Sequence, residues 1–291
     1  MAEILARHES YVGVSGVVSP DQERWLAKYG HDIGLDLTRR LHLGIKATHD
    51  AQYLDQPDQS GDMWHPVGAE AFRHSVIPER DQPNVTHIAQ MYMDPAEINR
   101  DELYPKRFVR KIQERGQGIL DGIQFDRLPY ADDIKKWGRV INHAKKSEFG
   151  ELAVIVQCDP KAMAQGTEKA IEALMRLSMA AGEDSAIDYV LFDASSGTGK
   201  EMNSDALLPF LDAAYSNKYF EAMGTNFGVA GGLNADMVRR HMGKILARFP
   251  DVSWDAESRL HRGTDDKSLN VVTTESYLAE SVVAIAHSEG L

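Results

Sequence analysis

The feature that most limits what this chain can fold into is a repeat in its hydrophobic pattern. Eight short apolar runs alternate with longer polar or amphipathic stretches: Tyr11–Ser15, Leu41–Ala47, Val85–Tyr92, Leu120–Phe125, Leu152–Cys158, Tyr189–Ala194, Phe227–Gly231 and Val252–Ala256. Several runs are apolar at both parities, which is how strands covered on both faces read. The stretches between them carry helix signals. Ser19-Pro20-Asp21-Gln22-Glu23 combines a Ser cap, a Pro at the first position and acids in the first turn. Asp159-Pro160 opens a helix over Lys161–Ala181 that Gly182 stops, and Asn234 is placed to cap Ala235–Phe249, before Pro250. Thr273 or Thr274 is placed to cap Glu275–His287.

Strands alternating with helices predict a parallel sheet. Eight repeats in 291 residues fit a (β/α)8, or TIM, barrel, whose usual size is about 250 residues. An open doubly wound sheet is the competitor. It lacks the Gly-rich dinucleotide turn, because Gly13-Val14-Ser15-Gly16 has neither the third glycine nor the place before a helix. The expected architecture is one barrel domain over 1–291, with insertions at about 48–66 and 94–118. Thr48–Met63 follows the second strand and reads equally as a lid or as a solvated insertion. Asp94–Gln117 is long and charged enough for two helical pieces.

Charge bears on partners. Lys and Arg total 32 and Asp and Glu 44, a formal net charge of −12. An acidic surface repels phosphate backbones and anionic lipid, so neither nucleic acid nor membrane is an expected partner. Cys158 is the single cysteine, which leaves no intrachain disulfide and no Cys-rich zinc site. No apolar stretch approaches the roughly 20 residues of a bilayer span, and the first nine residues lack the apolar core of a secretion signal. The expectation is a cytoplasmic protein. Its oligomeric state is not encoded in any of these features.

Parity assigns the strand faces. With the bulky β-branched positions facing the helices, the inward set is Tyr11, Gly13 and Ser15; Gly44 and Lys46; Gly122, Gln124 and Asp126; Gln157; Leu191 and Asp193; and Ser253, Asp255 and Glu257. Six strand ends thus bring Ser15, Lys46, Gln124, Asp126, Gln157, Asp193 and the Asp255/Glu257 pair to one mouth. A packed apolar interior needs none of them, whereas an active site at the C-terminal face needs such a set.

Two segments carry a resemblance. Tyr189-Val190-Leu191-Phe192-Asp193-Ala194-Ser195-Ser196-Gly197-Thr198-Gly199-Lys200 and Gly228-Val229-Ala230-Gly231-Gly232-Leu233-Asn234 resemble phosphoribosylanthranilate isomerase. Ile123-Gln124-Phe125-Asp126 looks like that family's fourth strand, Val14-Ser15-Gly16-Val17 sits where the family has Ile-Cys-Gly-Ile at the first strand, and Asp265-Asp266-Lys267 falls near its turn after the eighth strand. The resemblance implies a (β/α)8 barrel with Asp193 as general acid. It also implies a phosphate held near Gly231 and Gly232, where glycines let backbone amides approach an anion at a helix start; a tight turn needing positive φ is the competing reading. Where the family has its general-base cysteine, this chain has Ser15. At the eighth strand it has Asp255-Ala256-Glu257-Ser258-Arg259 in place of a phosphate-binding Ser-Ser-Gly. There Arg259, His261 or Arg262 would have to offset two carboxylates.

Isomerisation needs an acid at an oxygen and a base at the neighbouring carbon. Asp193 is the candidate acid, and Asp126 or Asp255 the candidate base in place of the cysteine. Ser15 completes the catalytic set. Lys46, Gln124, Gln157, Gly231, Gly232, Glu257 and Arg259 are the candidate substrate-binding residues. The substrate class they imply is a small anion such as a phosphorylated sugar, with no organic cofactor. Lys46 also fits a Schiff-base amine, and the carboxylates, with Asp94, Asp159 or His49, would suit Mg²⁺ or Mn²⁺. Either would make the chain a lyase or aldolase on a small oxo acid. A catalytically inactive barrel serving as a binding subunit is the third reading. Ser195–Lys200 is not a P-loop, since its first glycine is missing and Glu201 follows Lys200.

Overall fold

A computed structural model describes residues 9–17, 19–47, 84–92, 104–115, 120–126, 133–146, 152–158, 160–182, 187–193, 201–261 and 268–290. Eight strands, β1 Tyr11–Ser15, β2 Arg40–Ala47, β3 Val85–Tyr92, β4 Gly122–Asp126, β5 Ala153–Cys158, β6 Tyr189–Asp193, β7 Asn226–Ala230 and β8 Ser253–Ala256, pair in sequence order into a closed barrel. Every pairing is parallel, and β8 closes on β1 with Gly13 opposite Asp255. The strands fall on the eight apolar runs, with ends moved by one or two residues. Apolar residues that flank a strand, such as Leu120 and Leu152, remain buried after pairing stops, so hydrophobicity alone overstates the run.

The helices correct three expectations. Ser19 caps Pro20–Asp32 by accepting from the Gln22 amide, as its motif implies. The helix expected over Lys161–Ala181 is instead two pieces, Pro160–Met163 and Thr167–Ala181, because Gly166 turns the chain at φ +97°. The last helix is Val271–Glu289 and starts earlier than Thr273. Asn270 caps it, and its side chain accepts from the Thr273 amide. Asn234 does cap its helical stretch, accepting from the Met237 amide. That stretch widens into a π segment over Val238–Met242, ends at Leu246 and falls short of Phe249. The expected insertion 48–66 lies outside the described residues. Of 94–118, the described part forms the helix Tyr104–Arg115.

Two apolar layers follow from the strand parity. Val12, Val14, Leu43, Ile45, Ile123, Phe125, Val154, Val156, Cys158 and Phe192 pack outward against the helices. Inside the barrel, Tyr11, Ile88, Ile155, Tyr189, Leu191 and Ala230 form a separate cluster. The Tyr11 ring stacks on His42 at 3.6 Å between centroids, and Tyr189 meets both edge-on. This filled interior makes the barrel a core rather than a pore. It supports the polar ends above it.

Two buried ion pairs fasten the layers. Lys145 Nζ donates to Asp188 Oδ1 and Oδ2 at 2.8 and 2.6 Å, and Asp188 Oδ2 also accepts the Val154 amide. On the outer face of β3, His87 Nε2 lies 2.8 Å from Glu23 Oε1 and Nδ1 lies 3.6 Å from Asp121 Oδ2. No helix among the described residues is long and apolar enough to cross a membrane.

Candidate active site

The C-terminal mouth gathers its polar groups from strands on both sides of the barrel. At the seam between β8 and β1, Ser15 Oγ donates to Asp255 Oδ1 and Oδ2 at 2.9 and 2.8 Å. From β3, Gln90 Nε2 donates to Ser15 Oγ and lies 3.4 Å from Asp255 Oδ2. Beside them Gln124 Nε2 donates to Asp126 Oδ1 at 2.8 Å, and Gln157 Nε2 donates to Asp193 Oδ2. Ser15, Gln90, Gln124, Gln157, Asp193 and Asp255 are all buried, while Asp126 and Glu257 are partly exposed.

Glycines make room for this cluster. A Cβ on Gly44 would lie 2.6 Å from Ser15 Oγ and 2.8 Å from Gln90 Nε2, and one on Gly13 would lie 2.6 Å from Asp255 Oδ1. At the rim the chain turns after β8 and returns over β1. The His261 ring occupies the space of an absent Cβ on Gly16, with Cε1 and Nε2 at 2.7 Å from that point.

The carboxyl of Asp255 is strongly perturbed. Burial is the largest cause; the Ser15 hydrogen bond opposes it, and the charges of Glu257, Asp126 and Asp193 add to it, bringing the pKa up to about 8. Those charges come from the residue just past β8 and from β4 and β6, so the carboxylates share one electrostatic space. Tyr11, beneath them, has its phenol pushed well above its ordinary value by burial and then by Asp255, Tyr189 and Asp126.

The remaining sequence candidates divide. Lys46 pairs with Gln90 in the β2–β3 ladder, but its side chain lies outside what is described. Gly231 and Gly232 follow β7 with φ +117° and +59° and are buried. The tight turn is therefore present. Arg259 Nη1 lies 3.7 Å from Glu201 Oε1. The Ser195–Lys200 loop, Asp265-Asp266-Lys267, Arg262, Trp64, His65, His49, Asp94 and Asp159 lie outside the described residues. Among the described residues, no three His, Cys, Asp or Glu side chains are arranged to hold a metal ion.

Gln90 was not foreseen. In Val85-Thr86-His87-Ile88-Ala89-Gln90-Met91-Tyr92 both parities hold apolar residues, so alternation does not assign its face. The placement of Gln124 and Lys46 beside it, seen in the strand register, is what could have revealed it.

A closed barrel of eight parallel strands surrounded by helices defines the (β/α)8 class. No protein-family model and no curated protein sequence matches the chain. Solved structures do. One is a phosphoribosyl anthranilate isomerase in complex with reduced 1-(o-carboxyphenylamino)-1-deoxyribulose 5-phosphate, at 13% identity and TM-score 0.53, covering 97% of this chain and 100% of that one. Another is tryptophan synthase subunit alpha from Legionella pneumophila str. Paris, at 15% and 0.54, covering 96% and 93%. A third is triosephosphate isomerase from Bartonella henselae, at 9% and 0.50, covering 94% and 98%. The likeness at these identities is one of fold, and the isomerase named by the sequence motifs is one of several similar barrels.

Proposed function

We propose that this barrel is an acid–base isomerase that moves a proton between neighbouring carbons of a small hydroxy- or amino-carbonyl compound. The observation that carries this reading is Asp255: a buried carboxyl with a pKa of about 8, held by Ser15. Such a carboxylate is a far stronger base than an exposed one. The reactive form in this proposal has Asp255 ionised and a proton on Asp193, which Gln157 positions; in the first step Asp255 takes the proton from carbon while Asp193 gives its proton to the carbonyl oxygen. In the second step Asp255 returns its proton to the adjacent carbon, and Asp193 recovers one from the hydroxyl there. No proton is gained or lost overall. Two carboxyls in different surroundings can divide acid and base work in this way. Ser15, whose hydroxyl donates to both Asp255 oxygens, is a positioning residue rather than the base.

This reading replaces the missing thiol without invoking Lys46 or a metal, which the lyase and aldolase readings require. An anion expected from the sequence would sit at the Gly231–Gly232 turn, which directly follows Ala230, the register partner of both Asp193 and Asp255.

The experiment is solvent deuterium exchange into the carbon next to the carbonyl, across a panel of small aldoses, ketoses and their amino derivatives. Exchange by the wild type that Asp255→Asn and Asp193→Asn each reduce at least about a hundredfold is the expected result. Exchange unchanged in Asp255→Asn would overturn the assignment of the base.

A further inference from the structure

Gln90, Gln124 and Gln157 lie on consecutive strands, β3, β4 and β5, and reach the carboxyls of the mouth in two ways. Gln124 and Gln157 donate straight to Asp126 and Asp193. Gln90 Nε2 instead donates to Ser15 Oγ, and Ser15 donates to Asp255 Oδ1 and Oδ2 at 2.9 and 2.8 Å. The direct path from Gln90 Nε2 to Asp255 Oδ2 is 3.4 Å, longer than an ordinary N–H···O bond. Gln90, Ser15 and Asp255 are all buried, so water does not compete along this chain.

A serine hydroxyl has one proton to give and two lone pairs to receive. Alone, it serves either form of a carboxyl, donating to the carboxylate or accepting from the acid. Gln90 removes that freedom. Its NH2 occupies a lone pair of Ser15 Oγ and leaves the hydroxyl proton to Asp255, and each bond in such a chain polarises the next. The arrangement is held at a cost, because Gln90 Oε1 is buried without a partner. Turning the amide over would put that oxygen on Ser15 Oγ and draw the hydroxyl proton away from Asp255. Gly44 gives the amide its place: a Cβ there would lie 2.8 Å from both Gln90 Cδ and Nε2.

We infer that Gln90 is a positioning residue for the base, which keeps Ser15 a donor and thereby favours the ionised form of Asp255. The inference deepens the proposed function and rests on it for the role of Asp255. The effect needs no net charge at the mouth, since Gln90 and Ser15 are both neutral.

The test follows the carboxyl carbon of Asp255 by NMR from pH 4 to 10 in the full chain, in wild type, Gln90→Met, Ser15→Ala and the double variant. Gln90→Met keeps the length of the side chain and loses the donor. It is expected to raise the midpoint from about 8 by about half to one pH unit, the net worth of one hydrogen bond. In the Ser15→Ala background the same substitution should leave the midpoint where it is. The groups that face Asp255 stay in place throughout: Glu257 past β8, Asp126 from β4, Asp193 from β6, Tyr11 from β1 and Tyr277 from the last helix. So do His261 at the rim and Lys46, the ladder partner of Gln90. The pH of half-maximal deuterium exchange should move up with the midpoint. Gln90→Asn, which keeps the amide and shortens its reach, should raise the midpoint as well and decides the matter where the Met variant does not fold. A midpoint unmoved or lowered by loss of the Gln90 contact, or raised equally with and without the Ser15 hydroxyl, overturns the inference and leaves the base in place. A wild-type Asp255 that has finished titrating below pH 6 sinks the base itself. Shifts as expected, with no exchange on any carbonyl compound, sink the isomerase reading alone.

Discussion

Gly13 pairs with Asp255 across the seam that closes the barrel, and a Cβ at residue 13 would come within 2.6 Å of the carboxylate Oδ1. The seam admits the buried carboxyl because its partner has no side chain. Gly44 does the same for Ser15 and Gln90. Overfilling such a site costs typically about 1–3 kcal/mol. Gly13→Ala and Gly44→Ala should each melt at a lower temperature than the wild type and lose exchange activity further than stability explains. Thermal melts paired with exchange rates on the folded fraction check this; activity retained in both variants would show that the cluster tolerates displacement.

The raised pKa of Asp255 fixes a sign for the pH dependence. An unfolded Asp titrates near 3.9 and the folded one near 8. Between these values the folded state holds the extra proton, so stability falls as pH rises through the window, by up to about 1.4 kcal/mol per pH unit. Activity runs the other way, because the base works as the carboxylate. Asp255→Asn should therefore flatten the loss of stability between pH 5 and 8 while removing the activity that rises over it. Ser15→Ala removes a bond that favours the charged form, so its pH–rate curve should shift to higher pH.

His87 adds a second window. Burial alone would depress its pKa, but hydrogen bonds to Asp121 and Glu23, and their charges, outweigh that and raise it to about 9. A cation stabilised in this way contributes fully below its unfolded value near 6.5, and the contribution fades as pH rises through 9. In Asp255→Asn, where the first window is gone, the remaining decline above pH 7 should vanish on adding His87→Gln. Urea melts of the single and double variants at pH 6 and 9.5 would show it. The same decline in the double variant would assign it elsewhere.

Lys145 and Asp188 are buried together, and the same carboxylate accepts the Val154 amide. Removing one partner of a buried pair leaves an uncompensated charge, at a cost of about 3–5 kcal/mol. Lys145→Met should be destabilised by that order and Lys145→Met with Asp188→Asn by less, as read from denaturant midpoints. Equal losses in the two would mean that the pair does not bridge helix and sheet energetically.

The fold was legible because its signal is local. A strand buried on both sides must be apolar at both parities, and eight such runs at regular intervals leave few closed architectures. Parity also placed Ser15, Gln157, Asp193 and Asp255 inside, since Val12, Val14, Val156 and Phe192 identify the helix-facing side. Gln90 was hidden because β3 is apolar at both parities, and the break at Gly166 because helical spacing continues across it. The pairing of Ser15 with Asp255 joins residues 240 apart in sequence. It depends on closure of the barrel, which no local pattern records.

In the folded chain burial raises the pKa of Asp255 to about 8. Carboxyl carbon chemical shifts of the aspartates, followed by NMR from pH 4 to 10, test it without any substrate. The predicted result is an aspartate resonance titrating near pH 8 that is absent in Asp255→Asn and moved upward in Ser15→Ala. If every aspartate has finished titrating below pH 6, Asp255 is an ordinary carboxylate and cannot be the base proposed for this site.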